Sequence, residues 1–156
     1  MPKIYIAADH AGYALKEALM AELHSSYEVE DCGAFTPNPD DDYPEIVTPC
    51  AKKVASDAGS FGIVIGASGQ GEAMAANRVV GVRAAVYYGS SAATQTDASG
   101  MNYGIIESAR AHNDANILSL GARFITESEA KQVVKVFLET PADDAERHVR
   151  RRAMLA

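Results

Sequence analysis

The run Phe61–Ile65 (FGIVI) carries no polar side chain, and it leads straight into Gly66–Ala67–Ser68–Gly69–Gln70–Gly71–Glu72. A strand that is apolar along its whole length has to be covered on both faces, as in a parallel sheet flanked by helices. The remaining chain repeats this alternation. Strands are predicted at Lys3–Ala8, Tyr27–Cys32, Val82–Tyr88 and Asn116–Leu120. Helices are predicted over Ala11–His24, Tyr43–Ala58, Glu72–Val79 and Ile105–Ala111. The first has Leu15, Ala18, Leu19 and Leu23 at helical spacing, and the second has Pro44 in its first turn. A further helix spans Thr126–Glu139, with Thr126 as N-cap and Glu129 three residues on. Pro141 ends it, and a last short helix begins near Asp143. Five strands separated by helices imply an α/β fold with a parallel sheet and helices on both faces. Only Gly89–Gly104 (GSSAATQTDASGMNYG) interrupts the rhythm, as a connection longer than the usual few residues.

The 156 residues fit one domain spanning 1–156. The net charge of −7 argues against nucleic-acid or membrane-surface binding. No apolar run is long enough to span a bilayer, and MPKIYIAADH does not read as a secretory signal. Cys32 and Cys50 are expected to be free thiols, and the cytoplasm is the expected compartment. No metal-ligand spacing is present, and His24 is expected at the surface.

Ligands of open parallel sheets sit at the carboxyl ends of the strands. Asp9 and His10 follow the first strand; Asp9 can equally be a helix N-cap and His10 a surface residue. The Gly66–Glu72 turn lets a backbone approach a ligand closely and offers free amides to negative charge. It matches neither the dinucleotide order of glycines nor a P-loop. Glu72 can be a simple partner of the helix dipole. Beside an anion-binding loop it makes better sense as a base facing a C–H bond, with amides holding the charge that develops on oxygen. Burial would raise its pKa and the helix start would lower it. The C-terminus is basic: Arg147 and Arg151 are four apart on one helical face, and His148 and Arg151 three apart. That face suits a phosphate, although solvated basic tails are common. His112 precedes the fifth strand and Arg123 follows it. On the strand reading, His112 is expected on the same sheet edge as Asp9, His10 and Glu72.

Together these motifs resemble the type B ribose-5-phosphate isomerases and the related allose- and galactose-6-phosphate isomerases. The resemblance runs through Asp9–Gly12, Asp42–Tyr43–Pro44, Gly66–Asn77, Gly81–Arg83, His112–Asp114, Gly121–Arg123, Arg147–His148 and Arg151. It implies a three-layer α/β/α sandwich on a five-stranded parallel, Rossmann-like sheet. It also implies metal-independent aldose–ketose isomerisation with no cofactor. Some members use a cysteine at the end of the third strand as base; here that position is Gly66, and Glu72 matches the alternative glutamate. By resemblance, Glu72 moves a proton through an enediolate held by Ser68 and the Gly69–Gly71 turn. His112 opens the furanose ring with help from Asp9. His10, Arg123, Arg147 and Arg151, with His148, hold the phosphate, while Tyr43 and Asn113 belong to the sugar site. The resemblance also implies a site between subunits of a homodimer or homotetramer, with His112 and part of the basic cluster reaching across and the C-terminal helix (about 143–156) contributing to the phosphate site and the dimer. The long Gly89–Gly104 connection departs from the family and leaves a six-carbon sugar phosphate, such as allose 6-phosphate, as the alternative substrate. A non-catalytic phosphate- or nucleotide-binding module is the remaining alternative.

Overall fold

The computed structural model describes residues 1–155. In chain order the elements are β1 (Lys3–Ala8), α1 (Tyr13–Leu23), β2 (Glu28–Asp31), α2 (Tyr43–Ser56), β3 (Phe61–Gly66), α3 (Gln70–Ala76) and β4 (Ala84–Tyr87). They continue with β5 (Gln95–Thr96), β6 (Asn102–Tyr103), α4 (Ile105–Asn113), β7 (Ile117–Gly121), α5 (Glu127–Glu139) and α6 (Glu146–Ala153). The main sheet has the order β2-β1-β3-β7-β4, and every pairing in it is parallel. The expected α/β fold is therefore observed. The helix expected from Asp143 onward forms as α6, and Ala156 lies outside the described residues.

Alternate side chains of the central strands feed two separate cores. On one face Ile4, Ile6, Ile63, Ile65, Leu118 and Leu120 pack under α1, α4 and α5. On the other Tyr5, Ala7, Val64 and Ile117 pack against Val47, Cys50, Ala51 and Val54 of α2 and Ala76 of α3. This two-sided burial is why the strands read as unbroken apolar runs. No helix is long and apolar enough to cross a membrane among the described residues.

Two local details differ from the sequence expectation. Thr126 Oγ1 does accept the Glu129 amide at 3.1 Å. The Glu129 carboxylate, however, turns away to accept a 2.8 Å hydrogen bond from the Tyr87 hydroxyl. The Gly89–Gly104 connection is not a plain loop. It contains the antiparallel β5–β6 hairpin, in which Gln95 faces Tyr103 and Thr96 faces Asn102.

Candidate active site

The carboxyl ends of β1, β3 and β7 converge on the glycine-rich turn before α3. Gly69 has φ +75°, and a Cβ there would lie 2.9 Å from the Leu120 carbonyl carbon, so only glycine fits the turn without strain. Ser119, fully buried on β7, donates to the Gly69 carbonyl at 2.6 Å and fixes the turn from below. The amides of Gly71 and Glu72 have no backbone acceptor among the described residues, as expected in a first helical turn. Ser68 Oγ accepts the Gln70 amide at 3.2 Å, which leaves its own proton to donate.

Glu72 is 4% exposed. A Cβ built on Gly66 would overlap its carboxylate, so the carboxylate occupies the space that a side chain at position 66 would fill. Burial raises the Glu72 pKa above the ordinary carboxylate value; its own amide works against the rise, and the Asp9 charge adds to it. The competition between burial and helix start is thus won by burial.

Asp9 is buried beside Glu72. Its Oδ1 accepts the amides of Ala11 at 2.9 Å and Gly12 at 3.2 Å. The capping reading of Asp9 therefore holds for one oxygen, and Oδ2 is left for a ligand. His10 Nδ1 lies 2.6 Å from Asp41 Oδ1, and that contact raises its pKa, with Arg123 opposing. Arg123 follows β7, and its amide donates to the Ala67 carbonyl at 3.1 Å. Tyr43 stands at the start of α2 with its hydroxyl against Gly71. One chain thus brings together Asp9, His10, Tyr43, Ser68, Gly69, Gly71, Glu72 and Arg123.

His112 is not with them, which corrects the expectation of a shared sheet edge. It lies near the end of α4, just before the amino end of β7. Arg83, at the amino end of β4, donates to the carbonyls of Asn113 and Asp114 at 2.9 Å. A residue between a helix and the parallel strand that follows it belongs to the edge opposite the strands' carboxyl ends. Here His112 and Asn113 join Arg147, His148 and Arg151 in a second cleft of about 500 Å³, also lined by Gln95, Asp97 and Ser108. The predicted face of α6 therefore forms and turns towards His112. Arg152 is structural: it donates to the Asp143 carbonyl at 2.8 Å and ties α6 back towards α4.

Three site carboxylates escaped sequence reasoning. Asp41 is one of three consecutive aspartates, and nothing in the run distinguishes it. Asp143 lies 2.7 Å from His148 Nδ1; burial opposes ionisation there, but the His148 hydrogen bond leads a net lowering of the Asp143 pKa. Asp97 comes from the hairpin, 3.4 Å from both His112 Nε2 and Arg147 Nη2. The groups Asp9–His10–Asp41 and His112–Asp143–His148 hold metal-ligand types within 4.8 Å of one another. Internal pairs already engage both, His10 with Asp41 and His148 with Asp143.

The family model described as "Ribose/Galactose Isomerase" matches residues 4–155. The chain is 40% identical over 155 residues to a ribose-5-phosphate isomerase B of Mycobacterium leprae, covering 99% of this chain and 88% of that one. It is 41% identical to its counterpart in Mycobacterium tuberculosis, with the same coverage. Among solved structures, the ribose-5-phosphate isomerase B of Mycoplasma genitalium with bound ribulose 5-phosphate superposes with TM-score 0.84 at 34% identity, over 98% of this chain and 93% of that one.

Proposed function

The chain belongs to the ribose/galactose isomerase family, and from that premise we propose that it interconverts ribose 5-phosphate and ribulose 5-phosphate. The observation that carries the proposal is the buried Glu72 carboxylate, seated over Gly66 at a helix start where the Gly71 amide has no backbone acceptor among the described residues. A carboxylate in that place opposes anion binding but suits proton abstraction beside an oxygen that becomes negative.

The furanose substrate docks its phosphate on His10, Arg123, Arg147, His148 and Arg151, with Tyr43 and Asn113 against the sugar. His112 gives a proton to the ring oxygen, Asp9 Oδ2 takes the proton of the 1-hydroxyl, and the bond from C1 to the ring oxygen breaks. Glu72 then removes the C2 proton. The electron pair moves onto O1, and Ser68 with the amides of the Gly69–Gly71 turn holds the enediolate. The 2-hydroxyl proton passes to O1, and Glu72 returns its proton to C1. The chemistry needs no metal and no cofactor, so EDTA is expected to leave activity unchanged.

Each site draws on two copies of the chain. The separation of the Glu72 and His112 clusters within one chain supports this, because neither half is complete alone. A homodimer, or a pair of dimers, supplies the missing half. Phosphosugar metabolism places the enzyme in the cytoplasm, where Cys32 and Cys50 stay as free thiols. A six-carbon sugar phosphate is the second reading, favoured by the hairpin beside the His112 cleft. The kcat/KM ratio for ribose 5-phosphate over allose 6-phosphate separates the two. A non-catalytic phosphate- or nucleotide-binding module would leave buried Glu72 without a role.

The direct test is Glu72→Gln. Turnover is expected to fall about 10³-fold while the fold and phosphosugar binding persist. Near-normal turnover in that variant would contradict the assignment.

A further inference from the structure

The inserted hairpin encloses His112. Tyr103 of β6 packs edge-on against the imidazole at 4.7 Å, and the His148 ring lies 4.2 Å from it. Ser108 Oγ donates to Gln95 Oε1 of β5 at 3.1 Å and lies 3.3 Å from His112 Nδ1. With its proton committed to Gln95, the hydroxyl meets Nδ1 as an acceptor, so Nδ1 carries a hydrogen. On the opposite side, Asp97 Oδ2 is 3.4 Å from Nε2, out of line for a hydrogen bond, and Nε2 is buried without a partner. That carboxylate stands beside Nε2 without capturing it.

Asp97 is itself locked. Its Oδ1 accepts from the Ser99 amide at 2.8 Å, Ser99 Oγ at 2.6 Å and the Met101 amide at 3.1 Å. Its side chain is only 5% exposed although it stands on a connection between elements. The Ser99 hydrogen bonds lead in holding its carboxyl at about 2, so it is ionised at neutral pH.

We infer that the β5–β6 hairpin is a holder for His112 and that Asp97 is a positioning residue. It holds the imidazole in place, with Nε2 set to deliver a proton to the ring oxygen of the sugar phosphate. The inference rests on the isomerase reading, with His112 as the ring-opening acid. The proton passes from Nε2 to the ring oxygen as the bond from C1 to that oxygen breaks, and the 1-hydroxyl proton leaves to Asp9. Asp97 touches neither reacting atom.

Ring opening can be separated from proton transfer at carbon. Ribulose 5-phosphate cannot close a furanose ring, because its 5-oxygen is esterified. Exchange of its C1 hydrogen with deuterium from solvent therefore needs Glu72 but not the ring-opening acid. In Asp97→Asn, conversion of ribose 5-phosphate is expected to fall about tenfold or more, while C1 exchange at saturating ribulose 5-phosphate stays within about threefold of wild type. Parallel loss of both activities, or loss of neither, overturns the inference. Wild-type protein that neither converts ribose 5-phosphate nor exchanges ribulose 5-phosphate would instead contradict the isomerase reading on which it rests.

Discussion

Glu72 is a residue whose environment works against its ionised form. Burial leads the rise of its folded-state pKa above 4.5. Protonated Glu72 therefore adds stability that is complete below the unfolded-state pKa and is lost as pH rises through the folded-state one. Two consequences are measurable. Glu72→Gln, a neutral isostere, should melt higher than wild type at neutral pH, and the difference should vanish below about pH 4.5; a lower neutral-pH Tm would contradict the sign. Because a base must be ionised, kcat/KM should fall as pH drops through the same raised pKa, above the range of an ordinary carboxylate. Gly66 carries the complementary prediction. A methyl at position 66 collides with the flexible end of Glu72 rather than with backbone. Gly66→Ala should then fold normally while turnover falls on the order of 10- to 100-fold from misplacement of the carboxylate. Circular dichroism beside a steady-state assay checks both halves.

The central strands of the main sheet were legible because their burial is two-sided, and two-sided burial leaves unbroken apolar runs such as Phe61–Ile65, whereas the edge strand β2 (EVED) showed only alternation. The β5–β6 hairpin was not legible, since two residues per strand carry no apolar alternation. The edge occupied by His112 could have been read from order alone: it lies between α4 and β7, so it must sit at the amino end of β7. The burial of Lys16 had no signal in α1, because its partner, Asp31 at 2.6 Å, stands across the chain at the end of β2. Close packing between elements yields a prediction of its own. A Cβ at Gly12, which precedes α1, would come 2.6 Å from the Ile65 carbonyl oxygen of β3. Backbone cannot swing aside as a side chain can. Gly12→Ala should cost about 1–3 kcal/mol, read as a lower urea midpoint at unchanged slope. An unchanged midpoint would mean that α1 and β3 are less tightly docked than described.

At the scale of the whole molecule, the groups to which the proposed isomerisation assigns roles are divided between two faces of one chain. Glu72, Ser68 and Asp9 gather at the carboxyl ends of the strands, while His112, Arg147 and Arg151 line the cleft at the other edge. On the proposed mechanism a lone chain holds two incomplete sites, and two chains facing one another hold two complete ones. The direct measurement is therefore complementation between two inactive variants. Glu72→Gln and His112→Ala are each expected to be nearly inactive alone. Mixed, unfolded and refolded together in equal amounts, half of the resulting dimers should pair one subunit of each kind. Such a dimer has one site with both functional groups and one with neither, so the mixture should regain about a quarter of wild-type activity. A mixture that forms mixed dimers yet stays inactive would contradict the shared site, and substantial activity in Glu72→Gln alone would contradict the chemistry assigned to it.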